Sequence, residues 1–175
     1  PGSVITMNDP DFQHTGPDYT LECWLRSTSA AQREYAGVVV SRPAAQGFII
    51  RRTLNTGGAN RLAALEDFDN LNGPNLTNNQ WHHAVLVKSG NKLSIYLDGV
   101  EYVLSNNFTG NNNFSNHLAI GNDVAVMNRN FVGDIDEVKF WTRALTPAEI
   151  QATFEGKCPS ATNDEDLMIY FNFNE

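Results

Sequence analysis

The chain has 175 residues and a formal net charge of −8, with a pI of about 4.9; that length suits one domain, residues 1–175, able to bury roughly 70% of its extended-chain surface without disulfides or metals. The 12 Lys and Arg set against 20 Asp and Glu argue against a nucleic-acid partner, because affinity for a phosphate backbone comes from clustered cations, and no apolar run approaches the ~20 residues of a membrane span. The chain opens at Pro1 and closes on a strand at Glu175, so it reads as a domain excised from a larger protein, and the missing signal peptide carries no information.

Ser3 to Met7 reads as a short strand and Asn8 to Asp11 as a turn. Tyr19 to Arg26 alternates, with Tyr19, Leu21, Cys23 and Leu25 facing one layer and Thr20, Glu22 and Trp24 the other. Gly37–Ser41 and Gly47–Arg52 form a hairpin across residues 42–46, and Arg61 to Leu65 is a further strand. The loop from Glu66 to Gly73 is the sharpest polar cluster. Asp67 and Asp69 point the same way if extended, and Asn70 and Asn72 add carbonyl oxygens, all hard ligands suited to calcium. The run is not an EF-hand, since no Glu closes it, and a solvated turn is the competing reading.

Trp81 to Leu104 is a β-meander on paper. His83, Val85 and Val87 fall on one face of an extended strand, Ala84 and Leu86 on the other, so both faces are apolar enough to be covered. After a Ser89-Gly90-Asn91 turn, Leu93, Ile95 and Leu97 oppose Lys92, Ser94, Tyr96 and Asp98. Asp98-Gly99 signals a type I′ hairpin turn back through Val100 to Leu104.

The Asn-rich stretch from Ser105 to His117 reads as a long loop, in which Phe108 and Phe114 either stack on a sugar ring or partner or tuck inward as anchors. Sequons at Asn75, Asn107 and Asn113 fall in expected loops. In the next strand Phe131, Gly133 and Ile135 hold one phase and Val138 and Phe140 the other, so either both faces are buried or a β-bulge sits near Asp136-Glu137. A bulge there leaves backbone carbonyls beside a carboxylate, a corner suited to a hard cation. Thr146-Pro147-Ala148-Glu149 is a capping box that opens a helix ended by Gly156, with Ile150 and Phe154 on its packed face. Cys23 is either a buried free thiol or the partner of Cys158 in an oxidising compartment.

Catalytic and cofactor signatures are scarce. His82 and His83 alternate faces and cannot share one metal from a regular strand. The chain lacks a P-loop, a Rossmann glycine pattern, a CxxC and a GxSxG elbow.

Four blocks carry a family resemblance: the W-H-H-A-V-L-V run from Trp81 with Tyr96-Leu-Asp-Gly99, Phe131 to Ile150, Tyr19 to Leu25, and Leu167 to Phe173. Together they resemble the laminin G-like, concanavalin A-like jelly-roll domains, related in pattern to the pentraxins. The resemblance implies an all-β, two-sheet antiparallel jelly roll with one short helix after the strand ending near Trp141. It also implies a structural calcium held in part by Asp136. In the pentraxin pattern the cysteine at the position of Cys23 pairs with one in the Trp-His strand, where this chain has Ala84, so that bridge is absent. Related glucanases carry two catalytic carboxylates in one strand motif. Asp134-Ile-Asp136-Glu137 approaches it but is followed by Val138, Lys139 and Phe140, so the second catalytic carboxylate is missing.

The expectation is a non-catalytic binding or adhesion module of a secreted or cell-surface protein. It recognises a glycan or an extracellular protein, with calcium at Asp67, Asp69 and Asp136, and ligand contacts from Asp67, Asp69, Asn70, Asn72, Phe108 and Phe114. The alternatives are a structural spacer in a multidomain adhesin and a glucanase-like glycoside hydrolase.

Overall fold

A computed structural model describes residues 4–41, 46–51, 59–66, 69–110, 114–123, 128–156 and 164–173, and for residues 69, 70, 115, 116 and 164 it describes the backbone only. The strands are β1 (Ile5–His14), β2 (Tyr19–Ser27), β3 (Ala36–Ser41), β4 (Gln46–Arg51), β5 (Arg61–Glu66), β6 (Asp69–Asn75), β7 (Trp81–Ser89), β8 (Lys92–Leu97), β9 (Val100–Ser105), β10 (Phe114–Ile120), β11 (Gly133–Trp141) and β12 (Leu167–Phe171), with the helix α1 (Pro147–Phe154). They form two six-stranded sheets, ordered β1-β10-β3-β4-β5-β6 and β12-β11-β2-β7-β8-β9. All named strand pairs are antiparallel. This is the expected jelly-roll sandwich.

The core lies between the sheets. Leu21, Cys23 and Leu25 of β2 meet Phe48 and Ile50 of β4 and Leu62 and Ala64 of β5 in one buried cluster. Tyr19, Phe114 and Phe140 form its aromatic centre, with Phe114 centroids 4.8 Å from both partners. The outer face of the second sheet is covered too, because Val85, Val87, Tyr96 and Trp141 pack with Leu145 and Ile150 at α1. That explains why β7 is apolar on both faces: Ala84 and Leu86 enter the core while Val85 and Val87 meet the helix layer.

The local signals in the sequence have physical counterparts. Asp98 and Gly99 have φ of 52° and 80°, the pair of positive values that a type I′ turn requires. Thr146 accepts from Glu149 N while Glu149 reaches back to Thr146 N, the reciprocal capping box. The bulge is real: Asp136 pairs with Trp24 and Lys139 with Glu22, so β11 carries an extra residue there, and Glu137 sits at φ 52°. Cys23 is a buried free thiol opposite Ala84, and Cys158 lies outside the described residues.

Three expectations are corrected. Asn8 to Asp11 is not a turn but part of β1, whose register against β10 slips between Asn8 and Gln13. The expected 66–73 loop is mostly strand, since β6 begins at Asp69 and pairs with β5; polar residues suit it because β6 is a sheet edge, where Pro74 is tolerated as well. The expected 105–117 loop likewise gives way at Phe114 to β10.

Candidate ligand-binding rim

At the end of the sandwich where β2 finishes, buried amides tie the two sheets together. Asn60, just before β5, donates through Nδ2 towards Ser27 Oγ (3.1 Å) and Asn78 Oδ1 (2.8 Å), and its Oδ1 accepts from Gln32 N at 3.3 Å. The Gln32 side-chain amide pairs with the Val132 peptide in both directions, donating to its carbonyl and accepting from its N–H at 3.0 Å. Ser27, Gln32 and Asn60 are all buried. Buried polar groups satisfied in this way hold loops in one conformation. Here they fix the segments around residues 28–32, 76–80 and 131–132 against each other.

This rim presents Trp81, the first residue of β7, at 42% exposure. Its strand neighbour Arg26 places its guanidinium 5.3 Å from the ring centroid. Asp134, next along the same row of paired strands, holds that guanidinium at 2.8 Å. The result is an exposed indole with a guanidinium over its ring and a carboxylate holding that guanidinium. An exposed pair such as Arg26–Asp134 contributes only about 0–1 kcal/mol to stability, so folding alone is a weak reason for the arrangement.

The same motif recurs on the other sheet. Tyr35 has both Arg51 and Arg129 guanidinium carbons within 4.9 Å of its ring centroid. Arg51 pairs with Glu34 and Arg129 with Asp123, the latter at 2.7 Å with Asp123 buried. Tyr35 holds φ 63°, a left-handed conformation costly for a bulky side chain and tolerated where its surroundings impose it. Tyr35 packs on the outer apolar cluster of the first sheet, so the two aromatic centres occupy outer faces of different sheets.

The residues singled out in the sequence lie elsewhere. Asp67 is outside the described residues, and Asp69 and Asn70 are placed by backbone only, opposite Glu66 and Leu65. Asn72 is exposed on β6 opposite Ala63. Phe114 is fully buried against Tyr19, so it is an anchor with no face for a ligand. Phe108 is half-buried against the core with Lys88 Nζ 5.6 Å from its centroid. Glu66 bonds the Tyr19 hydroxyl, which places the paired Glu66 and Asp69 and the Phe114 end together, at the end of the sandwich opposite Trp81.

Asp136 serves the bulge: its Oδ1 accepts from Glu137 N at 2.8 Å and Phe173 N at 3.1 Å. Among the described residues no three His, Cys, Asp or Glu side chains converge as a ligand set. Asp134 is paired with Arg26, and Glu137 with Lys139 (3.3 Å) and the Tyr170 hydroxyl (2.6 Å). The Glu137 hydrogen bond is the main reason the Tyr170 hydroxyl is pushed above its ordinary range.

The two histidines take opposite faces. His82 Nδ1 bonds Asp98 at 2.7 Å, while His83 is buried between Trp24 and Phe154 at centroid distances of 5.1 and 6.0 Å. Beside His83, Glu22 is buried against Lys139 Nζ at 3.1 Å. Burial opposes ionisation of Glu22, but His83 and Lys139 outweigh it and hold the carboxyl below its usual range. Of these groups His83 packs against α1 through Phe154, and Lys139 lies over the Tyr170 ring of β12.

A two-layer antiparallel sandwich of two six-stranded sheets defines the class of a jelly-roll domain. The family model described as the concanavalin A-like lectin/glucanases superfamily (Laminin_G_3) matches residues 2–151, and the chain belongs to that family. No curated protein matches the chain significantly in sequence. Among solved structures it is similar to a Bacteroides ovatus protein proposed to bind carbohydrate, at 18% identity and TM-score 0.69, covering 97% of this chain and 48% of that one. Domain 4 of AbnA, an extracellular GH43 arabinanase from Geobacillus stearothermophilus solved with arabinotriose, matches at 20% identity and TM-score 0.55, covering 77% and 65%. The heptameric SAP-like pentraxin of Limulus polyphemus matches at 13% identity and TM-score 0.59, covering 95% and 82%. At these identities the likeness establishes the fold, and the chain spans about half of the first of these proteins. Among the described residues no helix is long and apolar enough to cross a membrane.

Proposed function

We propose that the chain is a non-catalytic glycan-binding module of a secreted or cell-surface, multidomain protein. The observation that carries this reading is Trp81, an exposed ring on a rigid strand flanked by the Arg26–Asp134 pair. A sugar ring offers a C–H face that packs on an aromatic ring and hydroxyls that pair with planar donors and carboxylate acceptors. Preorganisation by the Ser27–Asn60–Gln32 amides lowers the ordering cost of binding. The carbohydrate chemistry named for two of the similar structures supports the same class of ligand. The engagement of Asp134 and Glu137 in ion pairs supports recognition over hydrolysis.

Calcium dependence is the second element of the reading. It rests on the run of oxygen donors from Asp67 to Asn72 in the sequence, Asp67 and Asp69 foremost, and on Asp136.

The test is a glycan array followed by titration of wild type and Trp81→Ala. Saturable binding to a glycan class, strongly weakened in Trp81→Ala, is the expected result. An array with no ligand, in calcium and in chelator alike, overturns it in favour of a spacer.

A further inference from the structure

A cleft on the outer face of the second sheet is separate from the rim. Its floor is Val87, Ser94 and Tyr96; one wall is Lys92 and Glu101, and the other is the Ala144–Pro147 connection into α1. It encloses about 300 Å³, the lower end of the range for small-molecule sites. Trp81 and Val87 lie on the same face of β7, about 20 Å apart along the strand, with the α1 layer packed between them at Val85.

The polar wall is ordered. Glu101 Oε1 accepts from Lys92 Nζ at 2.6 Å and from Ser94 Oγ at 2.9 Å, and the Tyr96 hydroxyl bonds the same carboxylate. Partial burial opposes ionisation, yet these donors outweigh it and hold Glu101 below the usual carboxylate range. Burial, then the Glu101 charge, pushes the Tyr96 hydroxyl up to about 12. At neutral pH the cleft therefore presents a fixed carboxylate, an ammonium and hydroxyls along one wall. Val87, Ala144, Leu145 and Pro147 supply the apolar opposite side. A carboxylate has about four lone-pair sites, so it has capacity for a further donor. The β8–β9 ladder forms without these side chains, and a surface ion pair adds little to it.

We propose that this cleft is a second binding site, sized for one neutral saccharide ring and independent of Trp81. Adjacent hydroxyls donate to Glu101 and accept from Lys92, while the C–H face lies on Ala144 and Pro147. The choice of ligand class rests on the glycan-binding reading above; the site itself rests on the cleft.

The experiment is amide-resolved NMR titration of the whole chain with glucose, galactose, mannose and arabinose in turn. It uses wild type, Trp81→Ala, Glu101→Gln and Ala144→Phe, the last chosen to fill the cleft. The expected result is a saturable shift at the Ser94, Glu101 and Leu145 amides in wild type and Trp81→Ala. Glu101→Gln should weaken it about tenfold, from loss of a charged hydrogen bond, and Ala144→Phe should abolish it, with dispersed spectra showing that each variant folds. Silence at those amides with every sugar, or shifts that survive Ala144→Phe, overturns the cleft. Responses confined to the neighbours of Trp81 leave the rim standing and the cleft refuted, and responses confined to the cleft do the reverse.

Discussion

Asn60 Nδ2 lies 3.1 Å from Ser27 Oγ, a bond between the approach to one sheet and the last residue of a strand in the other. Because both groups are buried, the contact couples the stability of the sandwich end to the placement of Trp81. Asn60→Ala removes the amide that donates to Ser27, Ser29 and Asn78 and strands the buried Gln32 N–H. It should lower stability by roughly 1–3 kcal/mol, read as a lower denaturant midpoint with an unchanged slope. An unchanged midpoint would show that water replaces the amide without loss.

Trp81 separates recognition from folding. Trp81→Ala should weaken glycan binding by about 2 kcal/mol, roughly thirtyfold in Kd, while Trp81→Phe, which keeps an aromatic face, should lose less. Calorimetric titration of both variants checks the order; equal losses would mean the ring face is not what the ligand contacts.

The buried Glu22–Lys139 pair sets a pH response. Glu22 is held below the usual range because His83 and Lys139 outweigh its burial, so its contribution is present above the unfolded carboxylate pKa and disappears as pH falls through the lower folded value. Lys139 is raised because Glu22 and Glu137 outweigh its burial; its contribution is full below the unfolded lysine pKa and is lost as pH rises through the folded value. Stability should therefore fall towards both acid and alkali. Glu22→Gln should flatten the acid limb and cost about 3 kcal/mol at neutral pH, the low end for breaking a buried pair, since Lys139 keeps Glu137. Melting curves across pH for the two proteins decide it, and parallel acid limbs would assign the acid response to other groups.

At α1, Thr146→Ala removes the cap on Glu149 N and should cost about 1 kcal/mol, or roughly 2–4 °C in Tm for a domain of this size. Glu149, held down to about 2 by the Arg143 hydrogen bonds against partial burial, should keep its charge in mild acid. The loss in Tm should therefore be similar at pH values above the ordinary carboxylate range and just below it. Thermal scans at the two pH values measure this.

Calcium is tested by the same instrument. If Asp67 and Asp69, or Asp136, hold the ion, saturating calcium raises Tm by mass action and a chelator reverses it, and whichever of Asp67→Asn and Asp136→Asn removes the response names the site. A calcium-insensitive Tm would discard the metal.

Much of the architecture was legible in the residues because its signals are local. Asp98-Gly99 dictates its turn through φ alone, Thr146 and Glu149 make their box within one helical turn, and the phase change from Ile135 to Val138 narrows that strand to a bulge or two buried faces, between which the pairing with β2 decides. The site was not legible in that way. Trp81 reads only as the head of a strand, and its exposure depends on what lies over the outer face of the second sheet. Tyr35 sits in a segment without periodicity, and its arginines come from positions 51 and 129. Phe114 and Phe108 occupy equivalent-looking places in an Asn-rich run, yet Phe114 fills the core while Phe108 meets Lys88 at its margin. By itself, then, the amino-acid order determined the phases of the central strands, the Asp98-Gly99 turn and the helix cap, which depend on φ preferences and alternation over a few residues. Only the stacking of two sheets decided which aromatic rings face water and which carboxylates are paired, because burial and pairing are properties of groups distant in the chain.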